Sequence, residues 1–238
     1  MTTKNNFTFL ARKSKDKLIR HYILESLFSS GRAPNAKEIM VAFNLDMEEV
    51  VKYLDVLESE RHIYRVPGTQ NIQMALPFSN ITTPHNVCTD SGETFFCNGA
   101  IDALGIGAVF PEKRINISSF CLHCGEDYKV IIDNGKIINV NPPNVKVYIG
   151  IPARLWLESL VKTCGSINFY TSKKHLPLTN TSKACLTGRT IDLEQAFSIS
   201  KIINERRFDI KYERPSSSSF SSLFKIIGLN DTFWQDPS

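Results

Sequence analysis

Across residues 15–29 the apolar side chains Leu18, Ile19, Tyr22, Ile23, Leu27 and Phe28 fall on one stripe at helical spacing, with polar residues between them. This pattern predicts a first helix, ended by the turn-forming stretch Ser30-Gly31-Arg32-Ala33-Pro34-Asn35. Asn35 is placed to cap a short second helix over 36–43, since its side-chain oxygen can accept from the unpaired N–H groups of a first turn. Asp46 has the same role before DMEEVVKYLDVLESER, with Glu49 at the reciprocal position of a capping box. The next run, IYRVPGTQNIQMALPF, predicts two short strands around a turn at Pro67-Gly68-Thr69. Three helices and a β-wing give residues 1–82 a winged-helix-like pattern.

After the polar connector SNITTPHNVCTDSG the period shortens. RINISSFC, YKVIIDNGKIINV and VKVYIGI alternate or run apolar as strands do, and Asn134-Gly135 predicts a two-residue hairpin. AIDALGIGAVF reads as a helix start running into a glycine-punctuated turn. ARLWLESLVKTC reads as an amphipathic helix leading into the strand SINFYTS, and IDLEQAFSISKIINERR closes the ordered part as a helix. The fold class is therefore α+β: a winged-helix-like three-helix module, then a mixed or antiparallel sheet domain with flanking helices over 83–212. Residues 213–238 open on a serine run and are expected to form a loosely packed extension, although Leu223, Phe224, Ile226, Ile227, Leu229, Phe233 and Trp234 give it the means to dock.

Composition narrows the function. With 42% hydrophobic and 22% charged residues the 238-residue chain is neither disordered nor membrane-spanning in character. MTTKNNFTFLARKSKDK lacks the apolar core of a secretory signal, so a cytoplasmic protein is expected. The net charge of +4 is mild. The third predicted helix carries Asp46, Glu48, Glu49, Asp55, Glu58 and Glu60 against only Lys52 and Arg61, a balance that phosphates repel. No nucleic-acid partner is expected, and a winged-helix regulator ranks last among the functional readings.

Cysteines occur at 88, 97, 121, 124, 164 and 185. In a reducing compartment they point to metal binding, thiol chemistry or core packing rather than disulfides. Cys121-Leu-His-Cys124 is half of a zinc-type signature, and as a redox pair it would sit unusually, at a turn between strands. Asp102, flanked by Ile101, Ala103 and Leu104, is placed for burial, which raises a carboxyl pKa toward the range of a useful acid; capping a helix is its purely structural alternative. His85, His123 and His175 are read as surface or turn residues.

AIDAL at 100–104, SSFCLHCG at 118–125, TCGSINFY at 163–170 and EQAF at 194–197 occur in an order that resembles the organomercurial (alkylmercury) lyases, from about Lys15 to Arg207. The resemblance implies protonolysis of a carbon–mercury bond with no cofactor required, Hg(II) remaining as bound product. Two thiolates would weaken the bond while an aspartic acid protonates the departing carbon. On this resemblance Asp102 is the acid, Cys164 a mercury-binding thiol and Cys121 a structural cysteine. The partners implied are an organomercurial small molecule and a mercuric reductase as metal acceptor, with no membrane.

One position departs from the family pattern. The first catalytic cysteine of the family lies three residues before the aspartate, where this chain has Gly99; the nearest cysteine is Cys97. On a helix, positions three apart differ by about 60° and positions five apart by about 140°. Cys97 is thus expected to join Asp102 and Cys164 only if the helix starts after Gly99, with Asn98-Gly99 turning the chain. Cys124 is the next candidate metal ligand. The alternative function is a non-enzymatic soft-metal binder on the same scaffold, using Cys121, Cys124 and Cys164.

Overall fold

A computed structural model describes residues 3–175 and 188–235; Cys185 lies outside them. Helix α1 (Thr3–Ser30) extends well upstream of the predicted stripe and is followed by α2 (Ala36–Phe43) and α3 (Met47–Ser59). Both predicted capping boxes form. The Asn35 side chain accepts from the Glu38 N–H at 3.0 Å, and Asp46 accepts from Glu49 N–H at 2.8 Å, each glutamate returning the bond to the cap N–H. The stripe residues Ile19, Ile23 and Leu27 bury against Ile39, Val50, Leu54 and Leu57, so the three helices share one apolar core.

The main sheet has eight antiparallel strands: β1 (Ile63–Arg65), β2 (Ile72–Ala75), β3 (Phe78–Ser79), β4 (His85–Thr89), β5 (Thr94–Cys97), β6 (Ile115–Phe120), β7 (Asp127–Asp133) and β8 (Lys136–Asn141). Their spatial order is β1-β2-β3-β5-β4-β6-β7-β8, so strands from both sides of residue 83 share one sheet. Asn134 and Gly135, at φ 48° and 64°, make the β7–β8 turn. A second antiparallel sheet has β9 (Lys146–Ile149) between β10 (Ile167–Tyr170) and β11 (Arg189–Asp192). Among the described residues no helix is long and apolar enough to cross a membrane.

Helix α4 (Ala100–Val109) lies between this framework and α6 (Leu193–Asn204), with residues from Ala100 to Gly107 buried. Here the sequence reading is corrected, because the helix continues through both glycines instead of turning. A Cβ at Gly105 would lie 2.2 Å from Asn204 Nδ2, and one at Gly107 would lie 2.6 Å from Ile132 Cγ2. These glycines admit close neighbours, whose packing offsets the roughly 1 kcal/mol that each costs in a helix.

The predicted helix over 153–164 also differs, being divided into a single 3₁₀ turn at Ala153–Leu155 and α5 (Leu160–Gly165), capped by Ser159. Trp156 between them donates its indole N–H to Ile151 O at 2.9 Å and packs edge-on against Phe224 and Trp234. Those two residues belong to the C-terminal segment, which is docked rather than loose. It forms α7 (Ser217–Ile226), then returns so that the Ala153 N–H donates to Phe233 O at 2.8 Å. Phe224 and Trp234 are only 1% and 4% exposed, and burying such rings is worth more than ordering the short serine-rich link costs.

Candidate functional site

The start of α4 meets the end of α5. Gly99 is the N-cap of α4 in extended conformation, and a Cβ there would come within 2.8 Å of Cys164 O and 3.2 Å of Ile167 O. Having no side chain at this position lets the two helix ends close on each other. Asp102, in the first turn of α4, is thereby brought beside the Cys164 thiol, close enough for each group to shift the other's titration. Both are buried, at 7% and 6% exposure, yet both face a cavity walled by Leu76, Trp156, Leu160, Phe224 and Trp234.

Burial pushes the Asp102 carboxyl up to about 6, against the opposing pull of Arg207, the adjacent Cys164 thiol and Arg214. Burial likewise raises the Cys164 thiol well above its usual value, and the Asp102 charge raises it further. Near pH 7 the Asp102 carboxyl is therefore mostly ionised while the Cys164 thiol keeps its proton. Arg207 and Arg214 line the same cavity. The Arg207 Nε donates to Ile203 O, and an Arg214 terminal nitrogen donates to Arg61 O at 2.5 Å, while the buried Arg214 Nε has no partner. Neither arginine nor the aromatic wall was marked by spacing or motif; the chain brings them in from the end of α6 and from the C-terminal segment.

The sequence-predicted residues divide three ways. Asp102 and Cys164 come together at the cavity. Cys97 ends β5, paired with Phe78 and His85, and packs in the main core rather than on the cavity lining, although it lies within electrostatic range of Asp102. The helix does start after Gly99, and Asn98 fixes the corner by donating to Pro77 O and Phe78 O at 3.1 and 2.8 Å. Cys124 sits elsewhere, exposed in the β6–β7 turn beside Cys121 and His175. Cys164 is not a member of that group, so the structure does not assemble the set Cys121, Cys124 and Cys164.

The histidines need correction too. His85 is no surface residue; it is buried between Ser119 and Asn168, at 3.1 and 3.2 Å from its two ring nitrogens. Burial pulls its pKa down to about 4, so it is neutral at pH 7.

Comparison with known proteins converges on one family. The family model for alkylmercury lyase, MerB, matches residues 78–205, which include β3 to β11 and α4 to α6. Alkylmercury lyases of Bacillus cereus and Clostridium butyricum are each 24% identical over 205 residues, covering 82% of this chain and 84% of the relative. A crystal structure of the mercury-bound form of MerB2 has the same fold, with a TM-score of 0.61 at 24% identity, covering 82% of this chain and 98% of that one.

Proposed function

Because the chain belongs to the alkylmercury lyase family, we propose that it cleaves carbon–mercury bonds by protonolysis in the cavity shared by Asp102 and Cys164. The observation that carries this reading is that a buried thiol and a buried carboxyl, Cys164 and Asp102, line one largely apolar cavity. A soft sulfur matches a soft metal, and the acid beside it is held where the carbon leaves.

The protons balance through that pair. An organomercurial enters carrying an exchangeable ligand, a thiolate for example. The Cys164 sulfur bonds mercury, and its proton passes to the Asp102 carboxylate. Cys97 supplies the second sulfur, and its proton departs with the displaced ligand. Asp102 then protonates the carbon as the carbon–mercury bond breaks, releasing a hydrocarbon and leaving Hg(II) on two sulfurs. Apolar walls favour this order because they exclude water that would compete for the proton. Cys97 lies two residues before Gly99 in the main core, outside the cavity lining, so in this reading its sulfur must move to reach the metal.

A second reading is favoured by the place of Cys97 outside the cavity lining. In it the thiol that delivers the organomercurial stays on mercury as the second sulfur, and Arg207 and Arg214 in the cavity lining suit a delivering thiol that carries a carboxylate. The Cys164 proton again reaches carbon through Asp102.

One experiment separates these readings. Purified protein is incubated with a phenylmercury–thiol complex, and benzene is followed by headspace gas chromatography. The lyase reading expects catalytic benzene release, lost in Cys97→Ser if that sulfur is the second ligand and retained, with a rate set by added thiol, if the delivering thiol stays. Stoichiometric retention of phenylmercury without benzene would leave the soft-metal binder instead.

A further inference from the structure

We propose that Cys121, Cys124 and His175 form a second metal site, a tetrahedral centre of the zinc class with three protein ligands among the described residues. It is independent of the lyase reading, since none of the three lines the Asp102 cavity.

The geometry is the first argument. The two sulfurs and one imidazole nitrogen lie within 4.8 Å of one another. His175 Nδ1 is 3.6 Å from the Cys121 sulfur and 3.6 Å from the Cys124 sulfur. A tetrahedral ion with Zn–S near 2.3 Å and Zn–N near 2.0–2.1 Å requires a sulfur-to-nitrogen separation of about 3.6 Å. The nitrogen thus already stands equidistant from both thiols at the spacing that coordination sets.

The local chain is built to present those sulfurs. Cys121-Leu-His-Cys124-Gly125 closes a tight turn between β6 and β7, with Gly125 at φ +76° and its N–H donating to Cys121 O at 2.9 Å. Only glycine takes that conformation readily, so the turn can follow the second cysteine directly. The Cys121 N–H donates to Glu126 O at 2.8 Å, which closes the same turn.

His175 arrives from 54 residues along the chain, at the end of the 3₁₀ turn that follows β10. Two contacts hold it in place. The Thr171 hydroxyl donates to Glu126 Oε2 at 2.6 Å, tying the two segments together, and the His123 ring stacks on that of His175 with centroids 5.0 Å apart and planes 22° from parallel. His123 is outside the three-ligand group and acts here as a support for His175. Among the described residues Cys124 is exposed and His175 half-exposed, so the group lies where an ion can reach it from solvent. Two thiols and an imidazole, with no carboxylate in the set, exclude calcium and magnesium and favour a borderline or soft ion.

The test uses the full-length protein, stripped of metal under reducing conditions and titrated with Co(II), then Zn(II). The expected result is one equivalent of Co(II) giving thiolate-to-cobalt charge-transfer bands and the intense visible bands of a tetrahedral ion, discharged by Zn(II). Cys124→Ser and His175→Ala, both at accessible positions, should each weaken binding by more than the roughly tenfold that loss of a supporting residue costs. Cys164→Ser should leave the spectrum unchanged. Protection of Cys121 and Cys124 from alkylation by Zn(II), read by mass spectrometry on the unmutated protein, supplies a measurement that no folding defect can mimic. Absence of charge-transfer bands, absence of protection, or a spectrum lost with Cys164→Ser and kept with Cys124→Ser would overturn the proposal.

Discussion

Cys164 and Cys124, the thiols of the two proposed sites, have opposite surroundings. Cys164 is buried and lines a largely apolar cavity with Asp102, where its thiol is pushed well above the usual range. Cys124 is exposed in a β-turn, beside a second thiol and an imidazole and with no acid in its ligand group. The difference lies in what happens to the displaced proton. In the proposed reaction the cavity proton passes to Asp102 and then to carbon, whereas at the proposed turn site it would go to water. A proton-consuming cleavage therefore suits the first site, and retention of a metal suits the second.

The largest effect expected from breaking this contrast follows Cys164→Ser. A hydroxyl is a hard, weakly acidic ligand, so mercury binding at the cavity and cleavage should both vanish, read by retained mercury and by benzene release. Zinc-class binding at the turn should persist.

Asp102→Asn should retain organomercurial binding and lower turnover by about 10²–10⁴-fold, the usual worth of a positioned acid or base. The pH profile sharpens the assignment. The working pair holds a single proton, so activity should rise as pH passes about 6, where Asp102 loses its extra proton, and fall only where the Cys164 thiol ionises at high pH. Stability has the opposite sign. The folded pKa of Asp102 lies above its unfolded value, so its ionised form is disfavoured in the fold and stability is lost as pH rises toward about 6. Asp102→Asn should consequently be more stable than the parent at pH 7, by up to about 3 kcal/mol in denaturant unfolding, with the gain disappearing below pH 4.

A smaller effect concerns reactivity without metal. Iodoacetamide should modify Cys124 at least roughly tenfold faster than Cys164 or Cys97, since the latter two are buried with raised thiol pKa values. Peptide mass spectrometry over a time course gives the ratio directly. Equal rates would mean that the cavity opens freely to solvent, and the contrast between the two sites would fail.

Much of the scaffold was legible in local chemistry. The caps at Asn35 and Asp46, the Asn134-Gly135 hairpin and the alternating strands each depend on a few adjacent residues, so short-range pattern reading reached them. It missed where distant segments decide the outcome. Gly105 and Gly107 looked like a turn because the neighbours they admit, Asn204 and Ile132, are remote in sequence. The tail looked loose because a serine run says nothing about the aromatic surface awaiting its Phe224 and Trp234.

The site divides in the same way. The sequence by itself determined which residues have suitable chemistry: an aspartate set among apolar neighbours, scattered thiols, and a glycine three residues before the aspartate. Only the tertiary structure decided the groupings, placing Cys164 on Asp102, Cys97 behind the cavity lining and His175 on the CxxC turn. The physical reason is range. Donor softness and helix capping belong to single residues and their neighbours, whereas burial, proton transfer and coordination geometry require atoms from remote segments to meet within a few ångströms, and the packing of the whole chain sets that meeting.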